Sequence, residues 1–135
     1  MSVARILDMK GHLVFSVGDS APLSTVVDAL AKHGIGVVVV TDSSHQPVGI
    51  ISERDIIRSL SQDINVMKKK ASDVMTHHVL TCAPNESSAT VSERMARAGV
   101  RHLPVEQAGK IIGLISARDI LAHRAETTQQ AAADS

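Results

Sequence analysis

Aromatic side chains are nearly missing from this 135-residue chain: it has no Trp or Tyr, and Phe15 is its single Phe. Any core must therefore be aliphatic, built from the Val, Ile, Leu, Met and Ala within its 44% of hydrophobic residues. The same lack removes the stacking platforms that hold single-stranded nucleic acid. Net charge is missing as well, since Lys+Arg and Asp+Glu are both 14. No global field draws in a polyanion, so neither nucleic acid nor a membrane surface is an expected partner. Lys68-Lys69-Lys70 is a basic run short enough to be a solvated connection. Cys82 stands alone and allows no internal disulfide, which fits a reducing cytoplasm. No apolar run approaches the roughly 20 residues of a membrane span, and Met1 to Lys10 lacks the apolar core of a signal peptide. A cytoplasmic location is the expectation.

What the chain does contain is a repeat. Gly49-Ile50-Ile51-Ser52-Glu53-Arg54-Asp55 returns as Gly113-Leu114-Ile115-Ser116-Ala117-Arg118-Asp119. Asp55 and Asp119 are 64 positions apart, whereas Gly34 and Gly99 are 65 apart, so one loop of the second copy is a residue shorter. At the spacing of 65, Val26 meets Val91, Leu30 meets Met95, and Ser16 meets Thr81.

Each copy reads as an extended segment, a helix, a strand, a short loop, a strand and a helix. Val3, Ile6 and Leu7 form one face of a short leading helix that Gly11 can end. Ser20-Ala21-Pro22 predicts an N-cap at Ser20 with proline in the first turn. Leu23, Val26, Val27, Leu30 and Ala31 then give a helical face that ends at Gly34. Val37 to Val40 are four β-branched residues, a strand covered on both faces. Pro104 interrupts the matching strand, as expected at a sheet edge or bulge. The helices that close the copies carry aliphatics, Ile56, Ile57 and Leu121, which suggest exposed surface for association. The expected partition is 1–60 for the first repeat with the leading helix, 61–70 for a linker, 71–124 for the second repeat and 125–135 for a frayed tail.

The repeated turn has two physical readings. A helix N-terminus with Ser and a nearby Arg binds phosphate through unpaired N–H groups, a hydroxyl and a cation. Asp would repel phosphate but accepts hydrogen bonds from paired hydroxyls such as those of a ribose, and a strand Gly often marks a close approach by a ligand or another backbone. Phosphate, ribose and an apolar slot together describe a nucleotide. Alternatively, Ser-x-x-Asp is a capping-box-like helix start that needs no ligand. Both readings stand on the residues alone.

The doubled motif, Val100-Arg101-His102-Leu103-Pro104-Val105 and the spacing of elements resemble the paired CBS domains, or Bateman module, over roughly residues 4–124. The second repeat is the closer match, because the first has Gly36-Val37-Val38-Val39 in place of Arg-His-Leu-Pro. The resemblance implies an α/β fold of tandem βαββα-like CBS repeats with pseudo-two-fold symmetry. It also implies regulatory binding of AMP, ADP, ATP or NAD(H) in clefts between the repeats. Ser52 and Ser116 would reach phosphate, Asp55 and Asp119 the ribose, with Arg54 and Arg118 beside them. Arg101 and His102 would meet phosphate or a base edge. Ser16 and Thr81 would border the adenine, Gly49 and Gly113 would allow close approach, and Lys10 and His12 are weaker candidates. It further implies a homodimer and a separate regulated protein partner. An interaction module without ligand is the alternative.

No catalytic constellation is visible, so an enzyme is not expected. The seven histidines, His77-His78 included, show no metal-ligand spacing. Cys82 reads as a small buried hydrophobe, with no His–Asn partners to activate it. Gly34-Ile35-Gly36 precedes a strand and lacks a third Gly, so it is no dinucleotide fingerprint.

Overall fold

The computed structural model describes residues 1–77 and 80–123. The expectations for His78, Val79 and the tail past 123 lie outside the described residues. Helix α1 (Val3–Lys10) and strand β1 (Ser16–Gly18) are followed by α2 (Leu23–His33), β2 (Val37–Thr41), β3 (Pro47–Ser52) and α3 (Glu53–Gln62). A 3-10 helix (Ile64–Lys68) and the short α4 (Ala71–Val74) lead to α5 (Ser88–Ala98), β4 (His102–Gln107) and β5 (Lys110–Ser116). A last helix, α6, starts at 117 and is described to 123. The chain divides into a central unit, Val14–Val79, and a terminal unit made of Met1–Leu13 with the chain from Leu80 onward.

In the central unit β1 runs parallel to β2, and β3 runs antiparallel to it on the other side. Val37 to Val40 are all buried, as β-branched residues on a middle strand should be. Helix α2 buries Leu23, Val26 and Leu30 and ends at Gly34, whose φ of 62° is left-handed backbone that glycine adopts without Cβ strain. Its start differs from expectation: the cap position is Pro22, not Ser20, and no side chain caps it. The Leu23 N–H donates instead to the Lys69 carbonyl at 2.8 Å, so a distant backbone does the capping. The expected linker is also structured. Asp63 caps the 3-10 helix by accepting from the Asn65 N–H at 2.9 Å, and Val66 enters the central core beside Ile51 and Ile56.

The terminal unit pairs β4 with β5 and packs Val91, Met95, Leu103, Val105 and Ile115 into a second aliphatic core. Val3, Ile6 and Leu7 of α1 belong to that core. The leading helix, first in the chain and largely inside the first repeat's span, thus packs into the core of the unit that holds the second repeat. The hydrogen bonds explain why. Val3 N donates to Glu86 O at 2.9 Å, Ala4 N to Pro84 O at 2.8 Å, and Ser88 N to Met1 O at 2.8 Å. In the central unit Ala71 N donates to Ala21 O at 2.7 Å, Ser72 N to Asp19 O at 3.0 Å, and Leu23 N to Lys69 O at 2.8 Å. The two sets match bond for bond, with α1 in the place of α4. Each unit is therefore closed by the leading helix of the other repeat.

Pro104 accounts for the main difference between the sheets. Val39 donates its N–H to the Phe15 carbonyl at 3.0 Å, extending the parallel pairing of β1. Pro104 stands where Val39 stands and has no N–H to give. Among the described residues the parallel pairing in the terminal unit shrinks to one bridge, Cys82 with Val105, whereas the bulge at Val105/Glu106 repeats the one at Val40/Thr41 in the central sheet. The bulge is thus common to both sheets, and only the shortened parallel pairing traces to the proline.

Candidate functional site

Each repeated motif ends a strand and opens a helix. At the first, Ser52 donates to Asp55 Oδ2 from its N–H at 2.9 Å and from its hydroxyl at 3.0 Å. The Asp55 N–H donates back to Ser52 Oγ at 3.3 Å. At the second, the Ser116 N–H donates to Asp119 Oδ2 at 2.9 Å and the Asp119 N–H to Ser116 Oγ at 3.0 Å. Both motifs are thus capping boxes. A carboxylate offers about four lone-pair sites, so a box leaves acceptor capacity for hydroxyl groups. Cap and ligand turn are compatible.

The strand register gathers other candidates around each turn. His102, half-buried, is the register partner of Ser116, and the Arg101 carbonyl accepts from the Ala117 N–H at 2.9 Å. Arg101, His102, Ser116, Arg118 and Asp119 therefore meet at one end of the β4–β5 hairpin. In the central unit Val37 pairs with Ser52, and the Gly36 carbonyl accepts from the Glu53 N–H at 2.9 Å. The first turn accordingly carries the Glu53 carboxylate where the second has Arg101 and Ala117. Arg54, Arg101 and Arg118 are exposed and make no ion pair among the described residues. Ser16 is the partner of Val39 on β1, in line with Ile50 on β3, and Ser52 lies two residues further along that strand.

The two aspartates differ in their surroundings. Asp55 is loosely paired with Arg58, 3.9 Å away. Asp119 receives the Lys10 ammonium at 2.6 Å, and the same ammonium donates to the Leu114 carbonyl at 2.8 Å. Burial raises the Asp119 pKa, but the Lys10 hydrogen bond and the Ser116 N–H more than offset it, and the net shift is downward. Lys10 ranked low in the sequence because it lies 109 positions from Asp119; docking of α1 on β5 brings them together.

The close approach expected at the strand glycines is made by the protein's own chain. A Cβ on Gly49 would lie 2.5 Å from Met75 Sδ and 2.8 Å from the Thr76 carbonyl. A Cβ on Gly113 would lie 2.9 Å from the Leu7 methyls. Packing thus accounts for both glycines without a ligand.

Thr81 is held by a network that the sequence did not reveal. Arg94 donates to the Thr81 carbonyl at 3.0 Å and forks onto Glu86, which also accepts from the Ala83 N–H at 2.8 Å. These bonds, Arg94 foremost, bring the Glu86 pKa down to about 2 despite some burial. Ala21 and Ala29 occupy the matching positions of the first repeat, so repeat matching gave no signal. Burial, with Glu86 nearby, pushes the Cys82 thiol up to about 11, which suits a core side chain and not a nucleophile. An open depression of about 420 Å³ runs along α5 between Leu80, Arg94 and Arg97, and no residue of the repeated motifs lines it. Among the described residues no three His, Cys, Asp or Glu are grouped to hold a metal, and no helix is long and apolar enough to cross a membrane.

Two strand–turn–helix units with matching caps and a shared backbone scheme define a tandem-repeat α/β module. The CBS domain family model matches residues 6–62 and again 71–126, and the chain belongs to that family as a paired CBS module. A CBS-domain containing protein from Agrobacterium tumefaciens is 33% identical, with a TM-score of 0.86 over 91% of this chain and 92% of that one. A CBS domain protein from Pyrobaculum aerophilum, complexed with AMP, is 26% identical, with a TM-score of 0.80 over 93% and 99%. A Methanopyrus kandleri protein is 37% identical over 75% of this chain, which spans 54% of the length of that relative.

Proposed function

We propose that this CBS pair is a regulatory module that binds an adenine nucleotide, AMP, ADP, ATP or NAD(H), and is not itself catalytic. The observation that carries the reading is the duplicated turn. Each Asp is oriented by its own Ser and retains acceptor capacity, and an exposed Arg, without an ion pair among the described residues, follows that Ser by two residues. Asp55 and Asp119 would take the ribose hydroxyls, Ser52 and Ser116 the phosphate, and Arg54, Arg118 and Arg101 would add positive charge. Ser16 and Thr81 would border the base, with His102 beside the second turn. The AMP complex of the Pyrobaculum relative supports an adenosine-type ligand. The signal would pass to a separate protein or through a homodimer built on exposed aliphatics of α3 and α6. Ile57 and Leu121 are each 67% exposed, whereas Ile56 lies in the core at 7%, contrary to its expected exposure.

Titration calorimetry with adenine and guanine nucleotides tests the reading. Asp119→Asn retains a good capping residue but weakens a charge-assisted bond worth about 1.5–3 kcal/mol. Affinity at that turn should fall about tenfold or more by that loss, and unliganded stability should fall only by the worth of the partly exposed Lys10 ion pair, since the cap is kept. The competing reading is a ligand-free interaction module, favoured by caps that already account for Ser and Asp. It predicts no heat with any nucleotide and no binding change in either Asn variant.

A further inference from the structure

The two turns hold their aspartates differently, and the difference lies in Lys10. Asp55 Oδ2 takes both of its bonds from Ser52, one of them a hydroxyl whose proton can rotate away to make room. Asp119 Oδ2 takes one bond from the Ser116 N–H and the other from the Lys10 ammonium. That ammonium is anchored a second time on the Leu114 carbonyl at 2.8 Å, and its side chain extends from α1, whose Leu7 sits against Gly113. A vicinal diol binds a carboxylate best with one hydroxyl on each oxygen. At Asp55 a hydroxyl rotation frees one lone pair of Oδ2, and the exposed Arg58 stands 3.9 Å off Oδ1, whereas at Asp119 a salt bridge of 2.6 Å must break.

We propose that Lys10 is a built-in competitor for Asp119, so that a ribose-bearing ligand fills the Asp55 turn first and the Asp119 turn only as Lys10 is displaced. This rests on the ribose role proposed above for the two aspartates. Lys10 is then a specificity-determining residue that grades the affinities of two otherwise repeated sites. Because α1 carries Lys10, occupation of the second turn loosens a tether between α1 and β5, an event that occupation of the first turn does not produce.

The test uses adenosine, which has the diol but no phosphate, so that Lys10 cannot assist by attracting an anion. In the full chain carrying Asp55→Asn to weaken the first turn, Lys10→Met should tighten adenosine binding about three- to fivefold, the worth of one partly exposed ion pair. Lys10→Gln, which keeps a donor for the Leu114 carbonyl, should do the same and guards against loss of the helix contact. Adding Asp119→Asn should erase the gain. Unchanged or weaker adenosine binding in both Lys10 variants overturns the competitor role. A Lys10→Met loss confined to AMP would make Lys10 a phosphate ligand instead, which also overturns it. If the unaltered chain binds neither adenosine nor AMP, the ribose assignment itself falls and takes this inference with it.

Discussion

Gly49→Ala offers the most direct check on why the motif contains glycine. Neither Gly49 nor Gly113 is among the glycines with positive φ, so alanine suits both backbones and only space is at issue. At Gly49 the new methyl would meet the Thr76 carbonyl at 2.8 Å as well as Met75 Sδ. Thr76 is fixed there by two bonds to Ile50, at 2.9 and 3.2 Å, so relief requires breaking or stretching that bridge. Overpacking typically costs about 1–3 kcal/mol, and each strained backbone bond adds up to about 1 kcal/mol. The lower entropy of the unfolded alanine chain returns about 0.4–1 kcal/mol. The net loss is about 2–3 kcal/mol, which lowers Tm by about 6–10 °C for a chain of this size. At Gly113 the obstruction consists of Leu7 methyls, which can rotate, and the net effect should stay within about 1 kcal/mol. Thermal and urea unfolding without nucleotide would measure both. Equal shifts, or a neutral Gly49→Ala, would refute the packing account and return the glycines to a ligand role.

Other outcomes follow from the same structure. Glu86 has a lowered pKa in the folded state, so it adds stability above its ordinary value of 4.5 that is lost as pH falls toward about 2. Asp119 is shifted in the same direction and adds to that acid limb. Glu86→Gln should therefore be destabilised at neutral pH, with the difference from the unaltered protein shrinking over that acid window in urea melts. Persistence of the full difference at pH 2 would contradict the ion-pair origin. Cys82, 3% exposed with its thiol raised to about 11, should react with a disulfide reagent at pH 8 only in denaturant. Rapid native labelling would show that the terminal core opens. Ile57→Glu should turn the proposed homodimer into a monomer in sedimentation without lowering Tm appreciably, since Ile57 has little burial to lose. A monomeric unaltered protein at micromolar concentration would remove the dimer claim.

Much was legible in the sequence because the relevant forces are local. Aliphatic spacing predicted α2 and α5, since a helix buries every third or fourth residue whatever lies beyond it. The run Val37 to Val40 predicted a fully covered strand, and the doubled motif located both capping boxes, whose bonds span three residues. Long-range pairing decided the rest. The spacings of 65 and 64 that align the strands do not align α1 with α4, which match at 68, so the helix equivalence stayed hidden until backbone bonds exposed it. Pro22 occupies the cap because Lys69, far along the chain, supplies the acceptor that Ser20 was expected to provide. The partner of Asp119 emerged only when α1 packed against β5. A repeated sequence can specify two identical turns, but the side chains that reach them from elsewhere make them different sites.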